Sequence, residues 1–138
     1  MQLGIIARVF GIVYLLVGAL GFVPALNQTV PDSSAHLVVG QTTFLLGFFA
    51  VNILHNVVHI LIGLAGLVLG GSVGGARGYF RLLAVVYGLL VILGLIPLTN
   101  TVFGLVPIFG YDVWLHAVTA VLALYLGWGY PVPQEATA

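Results

Sequence analysis

Two clusters of polar residues interrupt apolar runs of this 138-residue chain. The first is "NILHNVVHI", residues 52–60, with Asn52, His55, Asn56 and His59. Histidines four residues apart on a helix present two imidazole nitrogens on one face, a spacing that metal sites use. The second is "YDVWLH", where Asp112 precedes His116 by one helical turn. A carboxylate so placed reaches the imidazole and fixes its tautomer, as the group behind a metal-ligating histidine does. On facing helices, His55 and His116 would equally suit the two axial positions of a flat tetrapyrrole, either haem or a chlorophyll-type pigment. A third chemistry is a proton or ion path along the His, Asp and Asn groups. The candidate ligands of a cofactor or a divalent metal are therefore His55, His59 and His116. Asn52, Asn56, Asp112, Tyr14 and Tyr87 are the supporting groups.

Helix geometry decides whether these groups can meet. At about 100° per residue, with Asn52 at zero, His55 falls near −60°, Asn56 near +40° and His59 near −20°. Gly63, Gly66 and Gly70 continue the same stripe, which is flanked by leucine, isoleucine and valine. The stripe predicts a seam that is polar in its outer half and lined by glycine in its inner half. Small residues let helices approach closely in lipid, and the glycines would also leave room for a flat ring. Downstream, Asp112, His116, Thr119, Ala123 and Gly127 share one face within about 80°. Trp114 points away from it. Plainer roles are open to the same residues: Asn52 and Asn56 can serve interhelical hydrogen bonding, and Asp112 a helix N-cap.

The elements that carry these faces follow from composition. Sixty-two per cent of the residues are hydrophobic and 4% charged. Soluble domains carry roughly a quarter charged residues, so the solvent for this surface is lipid. Four segments reach the roughly 20 apolar residues a span needs, at about 3–26, 46–70, 79–98 and 111–130. Residues 36–50 are expected to extend the second span outward or to lie along the membrane surface, and 131–138 to form a short disordered tail. The expected fold is an all-α integral membrane protein, one four-helix transmembrane domain over 1–138. Arg8, Arg77 and Arg81 fall at one end of that bundle, with Asp32 and Asp112 at the other. The positive-inside rule then puts both termini in the cytoplasm.

The chain also repeats itself. "RVFGIVYLLVGALGFVPALN" (8–27) lies over "RLLAVVYGLLVILGLIPLTN" (81–100), matching Arg8 to Arg81, Tyr14 to Tyr87, Gly21 to Gly94, Pro24 to Pro97 and Asn27 to Asn100. More weakly, residues 54–64 lie over 115–125, which matches His55 to His116. The pattern reads as a duplicated helical hairpin whose two copies share one orientation. Because the third span cannot be a cleaved leader, its likeness to the first argues that the first is retained.

Several function classes drop out. Without cysteine there are no disulfides, thiolate metal sites or thiol redox chemistry. With a net charge of zero, nothing marks a nucleic-acid partner. No Ser–His–Asp pattern and no phosphate loop points to an enzyme.

The stretches "GFFAVNILHNVVHILIGLAGL", "ARVFGIVYLLVGALGFVP", "RGYFRLLAVVYGLL" and "YDVWLHAVTAVLALYLGW" together resemble the small four-span bacterial membrane proteins grouped as domain of unknown function 4383. The resemblance covers roughly residues 3–130 and is most specific at the Asn-x-x-His-Asn-x-x-His stripe and the later Asp-x-x-x-His. It implies a four-helix protein of the bacterial inner membrane and carries no activity. The function expected from the residues is a small accessory protein or subunit that binds a pigment or metal through intramembrane histidines. The alternatives are proton or ion conduction, and a purely structural subunit. Its partners are the lipid bilayer and a larger membrane complex or a second copy of itself.

Overall fold

The structure, a computed structural model, describes residues 2–29, 37–38 and 40–131. Four α-helices carry most of the chain: α1 (Gln2–Leu20), α2 (Ile53–Leu69), α3 (Val73–Leu95) and α4 (Tyr111–Leu124). α4 runs on as a π-helical turn over Tyr125–Gly129. Three helical segments, Gln2–Leu20, Val73–Leu95 and Tyr111–Gly129, are long and apolar enough to cross a membrane, which marks the chain as a membrane protein. α2 is equally apolar but has 17 residues, about 25 Å of helix at 1.5 Å per residue. The outer surface suits lipid: Leu16, Leu61, Val85 and Val121 are all more than half exposed.

Local chemistry sets the helix ends, and several differ from expectation. α1 stops at Leu20 instead of running to residue 26, because Pro24 cannot continue the helical hydrogen bonds. Asn27 then caps the freed end, its Nδ2 donating to the carbonyls of Leu20, Gly21 and Val23. α2 starts at Ile53 instead of residue 46, where the Asn52 side chain caps it by accepting from the His55 amide at 2.8 Å. α3 starts at Val73 instead of residue 79, in the glycine-rich stretch between the second and third expected spans. Ser72 holds the Gly75 amide at 3.0 Å, and burial of Ala76, Tyr79 and Phe80 outweighs the poor helix propensity of glycine. It ends at Leu95, two residues before Pro97.

The described residues ahead of α2 form neither a helical extension nor a surface helix. Asn27–Thr29 (β1), Thr43–Leu45 (β2) and Phe49–Val51 (β3) pair as a small antiparallel sheet in the order β1-β2-β3. Asn27 pairs with Leu45, and Thr43 with Val51. Leu46 and Gly47 turn the β2–β3 hairpin with φ of 55° and 78°, and glycine takes the second at no steric cost. The all-α expectation holds for the four helices that make up the fold, and this small sheet corrects the expectation of a helical extension or surface segment ahead of α2. Asp32, Glu135 and the tail at 132–138 lie outside the described residues.

α1 packs chiefly on α2 and α3 on α4, with α3 also touching α1 and α2. The α1–α2 contact is a glycine seam. A Cβ added to Gly11 would sit 2.7 Å from the Gly63 carbonyl oxygen and 2.8 Å from the Leu67 amide; one on Gly4 would sit 2.6 Å from the Gly70 carbonyl oxygen. The backbones approach this closely only because neither helix carries side chains there. A second core joins Leu3, Ala7, Tyr79, Phe80, Leu83, Tyr87, Ala123 and Leu126.

At the opposite end from the sheet, α3 closes the end of α4. Arg81 Nε donates to the Gly127 carbonyl at 3.0 Å while its guanidinium lies 5.3 Å from the Trp128 ring centre. Arg77 Nη2 donates to the Tyr130 carbonyl at 3.0 Å, and Tyr130 Oη donates to Gln2 Oε1 at 2.9 Å. Gln2 and Tyr130, near the two ends of the described chain, therefore meet at the arginine-bearing end.

Substitution at the seam should separate from substitution in open helix. Gly11→Ala should cost about 1–3 kcal/mol by forcing two backbones apart. Gly88→Ala, with nothing within 4 Å of the added carbon, should leave the unfolding midpoint in detergent unchanged or slightly raised.

Candidate functional site

All four helices meet around three imidazoles. His55 and His59 come from consecutive turns of α2, and His116 from the second turn of α4; none is more than 5% exposed. The His55 and His59 ring centres are 4.5 Å apart, and His116 is 5.9 Å from His55 and 6.5 Å from His59. One ligand nitrogen from each lies within 4.8 Å of the others, so the three could hold a metal ion. α1 and α3 complete the wall: the Tyr14 ring is 5.4 Å from His59, Tyr87 is 4.7 Å from His116, and the two tyrosines are 5.8 Å apart. The Tyr14 hydroxyl lies in hydrogen-bonding contact with Tyr87 and with Thr119 of α4.

Asp112 is not the helix cap. That position belongs to Gly110, at φ 66°, while Asp112 lies in the first turn and is 1% exposed. Its Oδ2 is 3.2 Å from His116 Nδ1. The contact is off the hydrogen-bond axis, so both atoms remain without an aligned partner, as do Nδ1 of His55 and of His59. Such groups in an apolar interior are costly to leave unmatched.

The two asparagines point elsewhere. Asn52 receives the His55 amide and donates from Nδ2 to the Leu105 carbonyl at 2.8 Å, which pins the 96–110 loop to the start of α2. That loop is tightly wound, with Val102, Phe103 and Gly104 all at positive φ and the Ile108 amide donating to the Asn100 carbonyl at 2.6 Å. It delivers the Pro107 carbonyl, and β3 the Ala50 carbonyl, within hydrogen-bonding contact of the His55 imidazole. Asn56 faces α1: a Cβ on Gly21 would overlap its side chain, and its Oδ1 has no hydrogen-bond partner.

Sequence reasoning missed the carbonyls of Ala50, Pro107 and Leu105, which carry no side-chain signal. It also missed Tyr79, whose hydroxyl is buried without a partner against Gly66. Tyr79 lies eight residues before Tyr87, on the same face of α3. That spacing was the available signal.

A helical membrane protein with a buried imidazole cluster is the class this arrangement defines. The family model described as Domain of unknown function (DUF4383) matches residues 5–129, and the chain belongs to that family. No curated protein and no solved structure matches it.

Removing the Asn52 side chain should release both the α2 cap and the 96–110 loop. Asn52→Ala should cost about 1–2 kcal/mol, read as lost amide-exchange protection at residues 53–56 and 104–108. Unchanged protection at both segments would refute the coupling.

Proposed function

We propose that this is a small integral membrane accessory protein that holds a divalent transition-metal ion through His55, His59 and His116. The carrying observation is that three buried imidazoles from two helices bring one nitrogen each within 4.8 Å. Tetrahedral ligands at about 2.0–2.1 Å from zinc stand about 3.4 Å apart, so the ligand nitrogens need close by at most about 1.4 Å. An ion answers the unmatched Nδ1 atoms of His55 and His59, while the Asp112 carboxyl beside Nδ1 of His116 orients that ring and leaves its Nε2 to coordinate. Imidazole donors suit zinc, copper or nickel.

The packing argues for an ion over a pigment. The glycines expected to leave a slot for a flat ring are occupied: a Cβ on Gly63 would meet Leu15 and Gly11, and one on Gly66 would meet Ala7 and Tyr79. Tyr14 and Tyr87 fill the opposite wall.

In the same reading the chain is one domain of four spans, built from two related hairpins, in the bacterial inner membrane with both termini cytoplasmic. Several features support this. α1 pairs with α2 as α3 pairs with α4, and the repeat-related Tyr14 and Tyr87 face each other, as do His55 and His116. The arginines gather at one end and the cluster lies toward the other, outer end.

Metal analysis with a cobalt(II) absorption spectrum tests the site. The wild type should bind one equivalent with tetrahedral d–d bands; His59→Ala and His116→Ala should each abolish them. Asp112→Asn should weaken binding about 10–100-fold, and the exposed Trp114→Phe should leave it unchanged. Full binding by the histidine variants would reject the proposal. Orientation is testable because the chain has no cysteine. A single cysteine at Gln28 should react with an impermeant maleimide from outside the cell, and one at Gly74 only after lysis; the opposite pattern would invert the topology.

A further inference from the structure

A cleft of about 440 Å³ lies on the other side of α2 from the imidazoles, bounded by the end of α1, the sheet and the first turn of α2. Its lining includes Gly21 and Asn56, Gln41 and Thr43, and the apolar Phe22 and Ile53. The size falls in the range of small-molecule sites, about 300–1,000 Å³. From this cleft we infer a second binding site, for an uncharged amphiphile that carries a hydroxyl group.

Three observations carry the inference. Asn56 is 3% exposed, lines the cleft, and leaves its Oδ1 without a hydrogen-bond partner. The neighbouring amide is already committed, since Asn27 Nδ2 serves three α1 carbonyls and Asn27 Oδ1 accepts from Thr43. Among the described residues of the cleft, a ligand therefore finds Asn56 as the buried group in need of a partner. A hydroxyl both donates and accepts, so it satisfies the amide in either orientation.

Charge excludes ionic headgroups. Among the described residues no lysine, arginine or carboxylate lines the cleft, and Arg77 and Arg81 are tied to the far end of α4. At the mouth, Phe22 is 46% and Ile53 62% exposed, which offers an apolar exit into the surrounding lipid. A polar head seated on Asn56 with its chain leaving past Ile53 matches that gradient. Glycerolipid alcohols and reduced quinones both have this chemistry.

Photolabelling of the full chain in nanodiscs tests it. The probes are diazirine-bearing diacylglycerol, a diazirine-bearing quinol and, as charged control, diazirine-bearing phosphatidic acid. At least one hydroxylated probe should label peptides 21–29 and 41–56 in preference to the lipid-facing side of α3, and which one labels identifies the source. Asn56→Leu should reduce this labelling about tenfold, as loss of one buried hydrogen-bond partner does. Ile53→Trp, at an already exposed position, should block the mouth without touching the core and lower labelling likewise. Labelling spread evenly over the helices, equal labelling by phosphatidic acid, or labelling unaffected by Ile53→Trp would overturn the site.

Discussion

Hydrocarbon offers no hydrogen bonds, so the polar groups this chain carries into the membrane have to turn away from lipid and toward the protein interior. The fold follows from that constraint. His55, His59, Asp112, His116 and Thr119 lie on two helices and leave no lipid-compatible arrangement except facing each other. Tyr14 and Tyr87 close the remaining sides, and the 96–110 loop and β3 bring backbone carbonyls over the top. Arg77 and Arg81 use their donors on the carbonyls of Tyr130 and Gly127, beside the point where the π-helical turn disrupts the ordinary ladder.

Of the two roles its position suggested, glycine takes close helix packing and leaves no room for a flat ring. The stripe of Gly63, Gly66 and Gly70 lies below the imidazoles, but α1 occupies it through Gly4, Ala7 and Gly11. Close packing at the arginine-bearing half fixes the two helices against each other and so sets the rotation of α2 that aims His55 and His59 at α4. The α3–α4 pair lacks such a run and depends instead on single close approaches, Gly94 against Ile108 and Val113, and Gly127 against the Arg81 backbone.

Much of this was legible in the sequence because helix periodicity is rigid. The shared face of His55 and His59, the face of Asp112 and His116, and the outward Trp114 all follow from 100° per residue. The hairpin over 43–51 did not. "TFLLGFFAV" is apolar throughout, and a short apolar run reads equally as strand or buried helix. The glycine-rich start of α3 was obscured for the opposite reason: local propensity opposed a helix that Ser72 capping and tertiary burial enforce. Asn56 shares the polar stripe by angle, yet its 60° offset from His59 is enough to turn it toward Gly21 and away from the cluster. Periodicity names a face; the neighbours decide which part of that face each residue meets.

The brevity of α2 has an effect on the bilayer itself. Its 17 residues rise about 25 Å, several ångströms less than the average hydrocarbon thickness of about 30 Å. α3, with 23 residues, rises about 35 Å. Under the four-span arrangement proposed above, lipid beside α2 would compress while lipid beside α3 would not, which would seat the protein in a lopsided annulus, thinned along one flank. Membranes with short acyl chains accommodate that flank at least cost, and a partner helix of matching length would find it the easiest side to approach.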